Sequence, residues 1–380
     1  MIAPVVPHLK TSQPKSRIAI ELATVADDEE LRELLRRSPI PGLINVTFER
    51  EPSFFGSCGV RGDFFQVGIG RDRRTGKIVG LGTRSVSSAF VNGRPARLGY
   101  LSDLRLDPES RGGTLIARGY RFLRDLHEDH RAHLYTTVIF SENHAALTSI
   151  AAGRAGLPAY HDMGLVHSPG INIRRTKPQI VANCEILRGS QDLLPDIVEC
   201  LNRNNARRQF APVHTVANFK TRWRNFNIAD FYVAVRGSRV VGVLGCWDQS
   251  SFKQTRVAGY SSRLRWMVPL ANTLRPLTGA ARFPERGEEL AYFYLCFIAI
   301  DEDDVDIFRT LLRRAYNDAV GSKYLYAILA LHERDPFLPA LRNYALTPFP
   351  ARLFCVTFED GEDFYRTLDE RVPYVEAATL

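Results

Sequence analysis

Gly99 to Leu126 reads GYLSDLRLDPESRGGTLIARGYRFLRDL, and three kinds of local pattern follow one another in it. From Leu101 to Leu106 apolar and polar residues alternate, which predicts a strand with one buried face. Asp107-Pro108-Glu109-Ser110 breaks that period with turn-forming residues. Arg111-Gly112-Gly113 follows, and then Leu115, Ile116, Gly119, Phe122, Leu123 and Leu126 recur at helical spacing. A helix that starts just after two glycines has free N–H groups and a positive dipole end at its first turn, a cradle suited to a phosphate.

Upstream, Arg17 to Ala23 alternates like a strand, and Asp27 to Glu30 opens a helix with acids in its first turn. Leu31, Leu34 and Leu35 continue that helix, and Pro39 and Pro41 end it. Residues 41–55 read as a connector with a short helix or turn around Pro52. Phe64–Ile69 and Lys77–Ser85 predict a hairpin, and Asn92-Gly93 is the tip of a second one leading into the central strand. Downstream, His133 to Phe140 is a β-branched and aromatic run typical of a buried strand. Ser141-Glu142-Asn143 precedes a short helix through Ala145, Ala146, Leu147 and Ile150, ended by Gly153 and Gly156, and His161–Ile173 supplies two short strands.

Then the pattern begins again. CEILRGSQDLLPDIVECLNR (184–203) repeats the strand–turn–helix of residues 20–37, and FYVAVRGSRVVGVLG (231–245) repeats the hairpin of residues 64–82. Tyr292–Ile300 is a second central strand, Ile307, Leu311, Leu312, Ala315 and Tyr316 mark its helix, and Tyr324–Leu331 is a second buried strand. Repetition at about 170 residues is domain-sized and implies two similar folds in tandem. The expected division is an arm over 1–16, a first domain over 17–174, a linker over 175–183 around Lys177-Pro178, and a second domain over 184–380. The turn of the second copy, Asp301-Glu302-Asp303-Asp304-Val305-Asp306, carries five carboxylates and no glycine. Acids there favour the helix but repel a pyrophosphate.

Leu104-Arg105-Leu106-Asp107-Pro108-Glu109-Ser110-Arg111-Gly112-Gly113 resembles the acetyl-CoA motif of the GCN5-related N-acetyltransferase superfamily. That motif is an apolar-x-apolar strand end, a short turn, and a basic–glycine loop opening a helix. Counting from Arg111, the family's glycine place holds Thr114 and its small-residue place holds Ile116; the glycines stand earlier, at 112 and 113. The element order and Asn143 after the fifth strand also resemble the family. The resemblance implies an α/β (α+β) chain of two acyl-CoA N-acyltransferase-like domains, each a mixed, mostly antiparallel sheet flanked by helices. It implies that acetyl-CoA is the co-substrate and an unidentified amine the acceptor. Leu104, Arg105 and Leu106 would then pair with the pantetheine, Arg111, Gly112, Gly113, Thr114 and Leu115 would take the pyrophosphate, and Asn143 would open the helix beside CoA. Asp103 on the central strand stands where the family often has an acidic base or water-holder; it reads equally as an Asp paired with an arginine such as Arg105 or Arg84. The stretch after Asn143 holds no tyrosine to protonate the leaving thiolate, Ser149 and Tyr160 being the nearest substitutes.

Bulk properties agree with such a chain. With 380 residues there is room for two cores, and 45% hydrophobic with 24% charged residues is ordinary globular composition. No apolar run approaches the ~20 residues that span a bilayer, so no membrane is expected. Six scattered cysteines without a CxxC or Cys/His cluster predict neither disulfides nor a metal, and a cytoplasmic location. A net charge of +8 suits either a solvated basic surface or a polyanion such as CoA; no nucleic-acid motif stands out. Two functions fit: an N-acetyltransferase whose second domain is silent, or a non-catalytic tandem module that binds CoA or an acyl-CoA as a sensor or scaffold.

Overall fold

The computed structural model describes residues 16–42, 44–110, 114–150, 157–269, 273 and 284–380. The first half contributes strands β1 (Ile18–Leu22), β2 (Ile44–Glu49), β3 (Phe64–Asp72), β4 (Ile78–Val91), β5 (Arg94–Leu106), β6 (Leu134–Phe140), β7 (Ala159–His167) and β8 (Gly170–Asn172). The second contributes β9 (Glu185–Arg188), β10 (Phe231–Arg236), β11 (Arg239–Trp247), β12 (Gln254–Tyr260), β13 (Tyr292–Ile300), β14 (Tyr326–Ile328), β15 (Leu331–His332), β16 (Leu346–Thr347) and β17 (Pro350–Thr357). Helices Asp28–Arg36, Leu115–His127, Leu194–Asn205 and Val305–Ala319 flank them.

Local chemistry accounts for these elements. The Asp28–Arg36 helix has three acids in its first turn and buries Leu31, Leu34 and Leu35 on one stripe. Asn92 and Gly93 both take positive φ (51° and 76°), the requirement of a two-residue turn matched to strand twist, and β4 and β5 pair along their length. Gly99 is needed because the Tyr135 ring lies over it: a Cβ there would sit 2.0 Å from Tyr135 Cδ1. That ring is locked in turn, its hydroxyl accepting from Arg84 Nε at 3.1 Å and lying 2.8 Å from His127 Nδ1.

Two large sheets result, of order β1-β3-β4-β5-β6-β17-β7-β15 and β16-β8-β14-β13-β11-β10-β9. Each is antiparallel except for one parallel pair at its middle, β5 with β6 and β13 with β14. Sheet membership does not follow the chain trace. β17 lies between β6 and β7 of the first sheet, and β8 lies between β14 and β16 of the second. Each half is therefore completed by a strand of the other.

A third ladder bridges the halves. β2 pairs antiparallel with β12, from Glu49↔Gln254 to Ile44↔Tyr260. Residues 41–55, read from sequence as a connector, thus hold a strand as well as the expected short helix, Phe54–Cys58. The alternation of Ile44, Val46 and Phe48 with Asn45, Thr47 and Glu49 is its signal, but the partner strand lies some two hundred residues away.

Candidate active site

β5 is a strand that changes neighbours along its length. On one side Leu98, Gly99 and Tyr100 pair with Leu134, Tyr135 and Thr136 of β6, and there the ladder ends. Thr137 Oγ1 still donates to the Leu101 carbonyl at 2.8 Å, after which the strands part. On the other side the pairing with β4 slips between Ser102↔Thr83 and Arg105↔Leu81, so that Asp103 and Leu104 together oppose Gly82. This is a β-bulge, with Asp103 at φ 55°. A bulge beside a splayed parallel pair bends the strand and leaves the β6 side of Leu104–Leu106 without a strand partner among the described residues. Leu104 is 40% exposed there, and its carbonyl accepts only from Arg105 Nη1, at 2.9 Å, among the described residues.

Leu104, singled out from sequence, lies on this opening. Arg105 and Leu106 are half-buried on the same edge. Arg111, Gly112 and Gly113 lie outside the described residues. Thr114 precedes the Leu115–His127 helix, and its side chain caps no N–H of the first turn. The Leu115 side chain is buried toward Gly70, so what it can present is its main chain. Asn143 ends the turn after β6, and its Oδ1 accepts from Ala146 N at 3.2 Å as the helix begins. Tyr160 is engaged elsewhere: its hydroxyl is 2.5 Å from that of Tyr120, and its ring packs edge-on against Phe354.

Asp103 is not paired with Arg105 or Arg84. Its Oδ1 accepts from Arg61 Nη2 at 3.1 Å and Arg50 Nη2 at 3.2 Å, and its Oδ2 accepts from Arg61 Nη1 and, at 3.4 Å, from Thr83 Oγ1. Arg84 turns instead to Asp129, at 2.7 and 2.8 Å. Arg50 and Arg61 are 2% and 6% exposed. Lys253, buried nearby at the start of β12, donates to the Leu380 main-chain oxygen at 2.6 Å and sits 5.1 Å over the Tyr294 ring. Burial, reinforced by the Arg61 charge and opposed by Asp103, holds its ammonium down to a pKa of about 7. Of these three, only Arg50 is marked by the sequence: the run Glu49-Arg50-Glu51-Pro52 reads either as charges that touch an acceptor or, by preference, as a surface salt-bridge run. Nothing local marks Arg61 or Lys253.

The second copy repeats the device at the same register. Tyr292, Phe293 and Tyr294 pair with β14 before the strands part. The ladder to β11 slips between Cys296↔Gly245 and Ala299↔Val243, and Phe297 takes φ 51°. Two copies of one bulge on one splayed parallel pair identify the architecture. The chain has the fold of GCN5-related N-acetyltransferases, in tandem.

Solved structures of that fold agree. Saccharomyces cerevisiae N-myristoyltransferase with bound myristoyl-CoA aligns over 91% of this chain and 84% of its own, with a TM-score of 0.60 at 10% identity. A GCN5-related N-acetyltransferase from Sphaerobacter thermophilus aligns over 97% and 100%, with a TM-score of 0.54 at 9% identity. The GCN5-related glucosamine N-acetyltransferase region of a fungal multi-domain GH3 β-N-acetylglucosaminidase aligns over 92% of this chain, at a TM-score of 0.60 and 12% identity; the match spans 39% of the fungal chain. No protein-family model matches the sequence, and no curated protein matches it.

Within this acetyltransferase fold the second opening is closed by the chain itself. The Glu376 carboxylate accepts from Phe297 N at 2.8 Å and from the Tyr374 hydroxyl at 2.7 Å. What remains beside the strand is a cavity of about 20 Å³, lined by Ile298, Ala299, Ile300, Asp303, Leu331 and Tyr374. That is room for a water, not for a pantetheine arm. The acidic turn is likewise spent internally. Asp304 accepts from the N–H groups of Asp306 and Ile307, Asp301 pairs with Arg203 at 3.0 Å, and Asp303 pairs with Arg207 and Arg208 at 3.0 and 2.6 Å.

Proposed function

We propose that the chain is an acyl-CoA-dependent N-acyltransferase that moves an acetyl group from acetyl-CoA to an amine, with the working site in residues 17–174 and a silent copy in 184–380. The observation that carries this reading is the contrast between the two bulges. One has a strand edge with no strand partner among the described residues, leading to a helix that Thr114 does not cap. The other is filled by Glu376 and Tyr374 and capped by Asp304.

The residues fit such a donor. The β6 side of Leu104–Leu106 has no strand partner among the described residues, as an extended amide-bearing arm requires. The turn through Arg111, Gly112, Gly113, Thr114 and Leu115 would take phosphates on N–H groups, and Asn143 would stand across the opening. The donor supplies a thioester. The amine nitrogen bonds to the carbonyl carbon, the C–S bond breaks, the amine gives up a proton, and CoA leaves as the thiol. Asp103, with its oxygens on Arg50, Arg61 and Thr83, acts in this reading as the counter-charge that holds two guanidiniums beside the reacting carbon. Orientation then supplies much of the rate. The alternative of a CoA-binding module without turnover is favoured by one feature, the engagement of Asp103 on both oxygens.

Titration calorimetry with acetyl-CoA should give one site per chain, abolished by Gly113→Glu and unchanged by Asp303→Ala. Two equivalent sites would overturn the silence of the second copy. Amine-dependent release of the CoA thiol separates enzyme from binding module.

A further inference from the structure

The bridging ladder brings a cation from each half to one end. Glu49↔Gln254 is its last pair, so Arg50 and Lys253 leave β2 and β12 side by side, next to the Asp103 bulge. Arg61 lies on the far side of the same carboxylate. All three cations are buried, with 2%, 6% and 6% exposure for Arg50, Arg61 and Lys253. Among the described residues the Asp103 carboxylate meets both arginines, while Lys253 donates to an oxygen of Leu380, the last residue of the sequence.

The hydrogen bonds of the two guanidiniums are unbalanced. Nε and Nη1 of Arg50 and Nε of Arg61 are buried with no hydrogen-bond partner among the described residues. An ammonium has three donors, and Leu380 takes one of those of Lys253. Buried guanidiniums with N–H groups unspent form a site for an anion, and a guanidinium matches a carboxylate in shape.

Position decides which anion. In the acyl-transfer reading the donor's phosphates would sit at the start of the Leu115–His127 helix, whose Leu115 packs on Gly70 near the Leu106 end of the edge. The cluster lies at the bulge end, where the acyl carbon would arrive, and is built from both halves. We propose that Arg50 and Lys253, supported by Arg61, bind a carboxylate on the acceptor, so that the substrate is an amino acid or another amine carrying a carboxylate. This rests on the acyl-transfer reading above.

The test uses product-like probes on the full chain. N-acetylglycine and N-acetylglycinamide differ only in the carboxylate, and calorimetry with CoA present compares their affinities. The acid should bind at least tenfold more tightly than the amide. Lys253→Gln, which removes no partner of Asp103, should cut that preference at least threefold, and Arg50→Lys, which keeps a charge beside Asp103, should also lower it. CoA affinity should be unchanged in Lys253→Gln. Equal binding of acid and amide, binding of neither, or a preference that survives in both variants overturns the subsite. A chain that fails to bind CoA overturns the acyl-transfer reading instead, and the acid–amide comparison is then read on the free chain.

Discussion

Asp103 and Phe297 occupy the same place in two copies of one bulge, yet one stands in a knot of charge and the other in a cage of rings. Asp103 holds Arg50 and Arg61. Phe297 lies 5.1 to 5.9 Å from the rings of Phe219, Trp223, Phe226, Phe231, His214 and Trp247. The backbone is the same because strand splay and bulge are set by main-chain pairing. What stands on it is free to differ. The lesson is that the fold supplies an opening twice, and side chains decide whether it is kept open by charge or sealed by packing.

The hardest blow to the first copy should be Asp103→Leu. It leaves two buried guanidiniums without their counter-charge and should cost about 3–5 kcal/mol of stability, the usual result of breaking a buried pair from one side. Chemical denaturation measures it. A loss under about 1 kcal/mol, within the range of exposed ion pairs, would mean that the arginines are solvated and the clamp does not exist.

In the second copy the sensitive group is His214. It is 2% exposed, its ring nitrogens have no partner among the described residues, and burial, reinforced by Arg222, drives its pKa down to about 3. An unfolded histidine takes its proton near pH 6.5. Between those values the unfolded chain binds the extra proton, so stability falls as pH drops from 6.5 toward 3, by on the order of 3 kcal/mol at pH 4. Glu376 pulls the other way, since burial raises its pKa. Comparing wild type with His214→Phe over the same pH range subtracts that part. An unchanged acid profile in His214→Phe would show that the histidine is hydrated in the folded chain.

Glu376→Gln should be milder. It weakens the acceptor for Phe297 N and the Tyr374 hydroxyl, on the order of 1–2 kcal/mol. If the tail is what seals the second opening, hydrogen exchange at Phe297 should speed up while the β5 amides stay as they were. Equal exchange in both variants would place the seal elsewhere.

Much of this frame was legible in the sequence because it is local. Hairpins announced themselves by Asn92-Gly93 and Gly237-Ser238, helices by stripes such as Ile307, Leu311 and Ala315, and the doubling by repetition. The bulge was not legible. LSDLRL alternates smoothly on paper, and only pairing with β4 shows that Asp103 and Leu104 share one partner position. The partners of Asp103 lie 53 and 42 residues away, and no periodicity reports such contacts. The exchange of β8 and β17 was hidden for the same reason, since a strand's pattern states that it is paired and not with which half of the chain.

The smallest expected effect sharpens the comparison most. Leu104 and Ile298 share the position after the bulge residue, yet Leu104 is 40% exposed and Ile298 is 8%. An exposed leucine truncated to alanine loses little burial, so Leu104→Ala should change stability by no more than about 0.5 kcal/mol. If donor binding uses main-chain groups of this edge, CoA affinity should also fall less than about threefold, because the N–H and carbonyl remain. A tenfold loss of CoA affinity with unchanged stability would show instead that the Leu104 side chain covers the donor. A stability loss of 2 kcal/mol or more, the scale of a buried leucine, would show that the first opening is packed shut like the second.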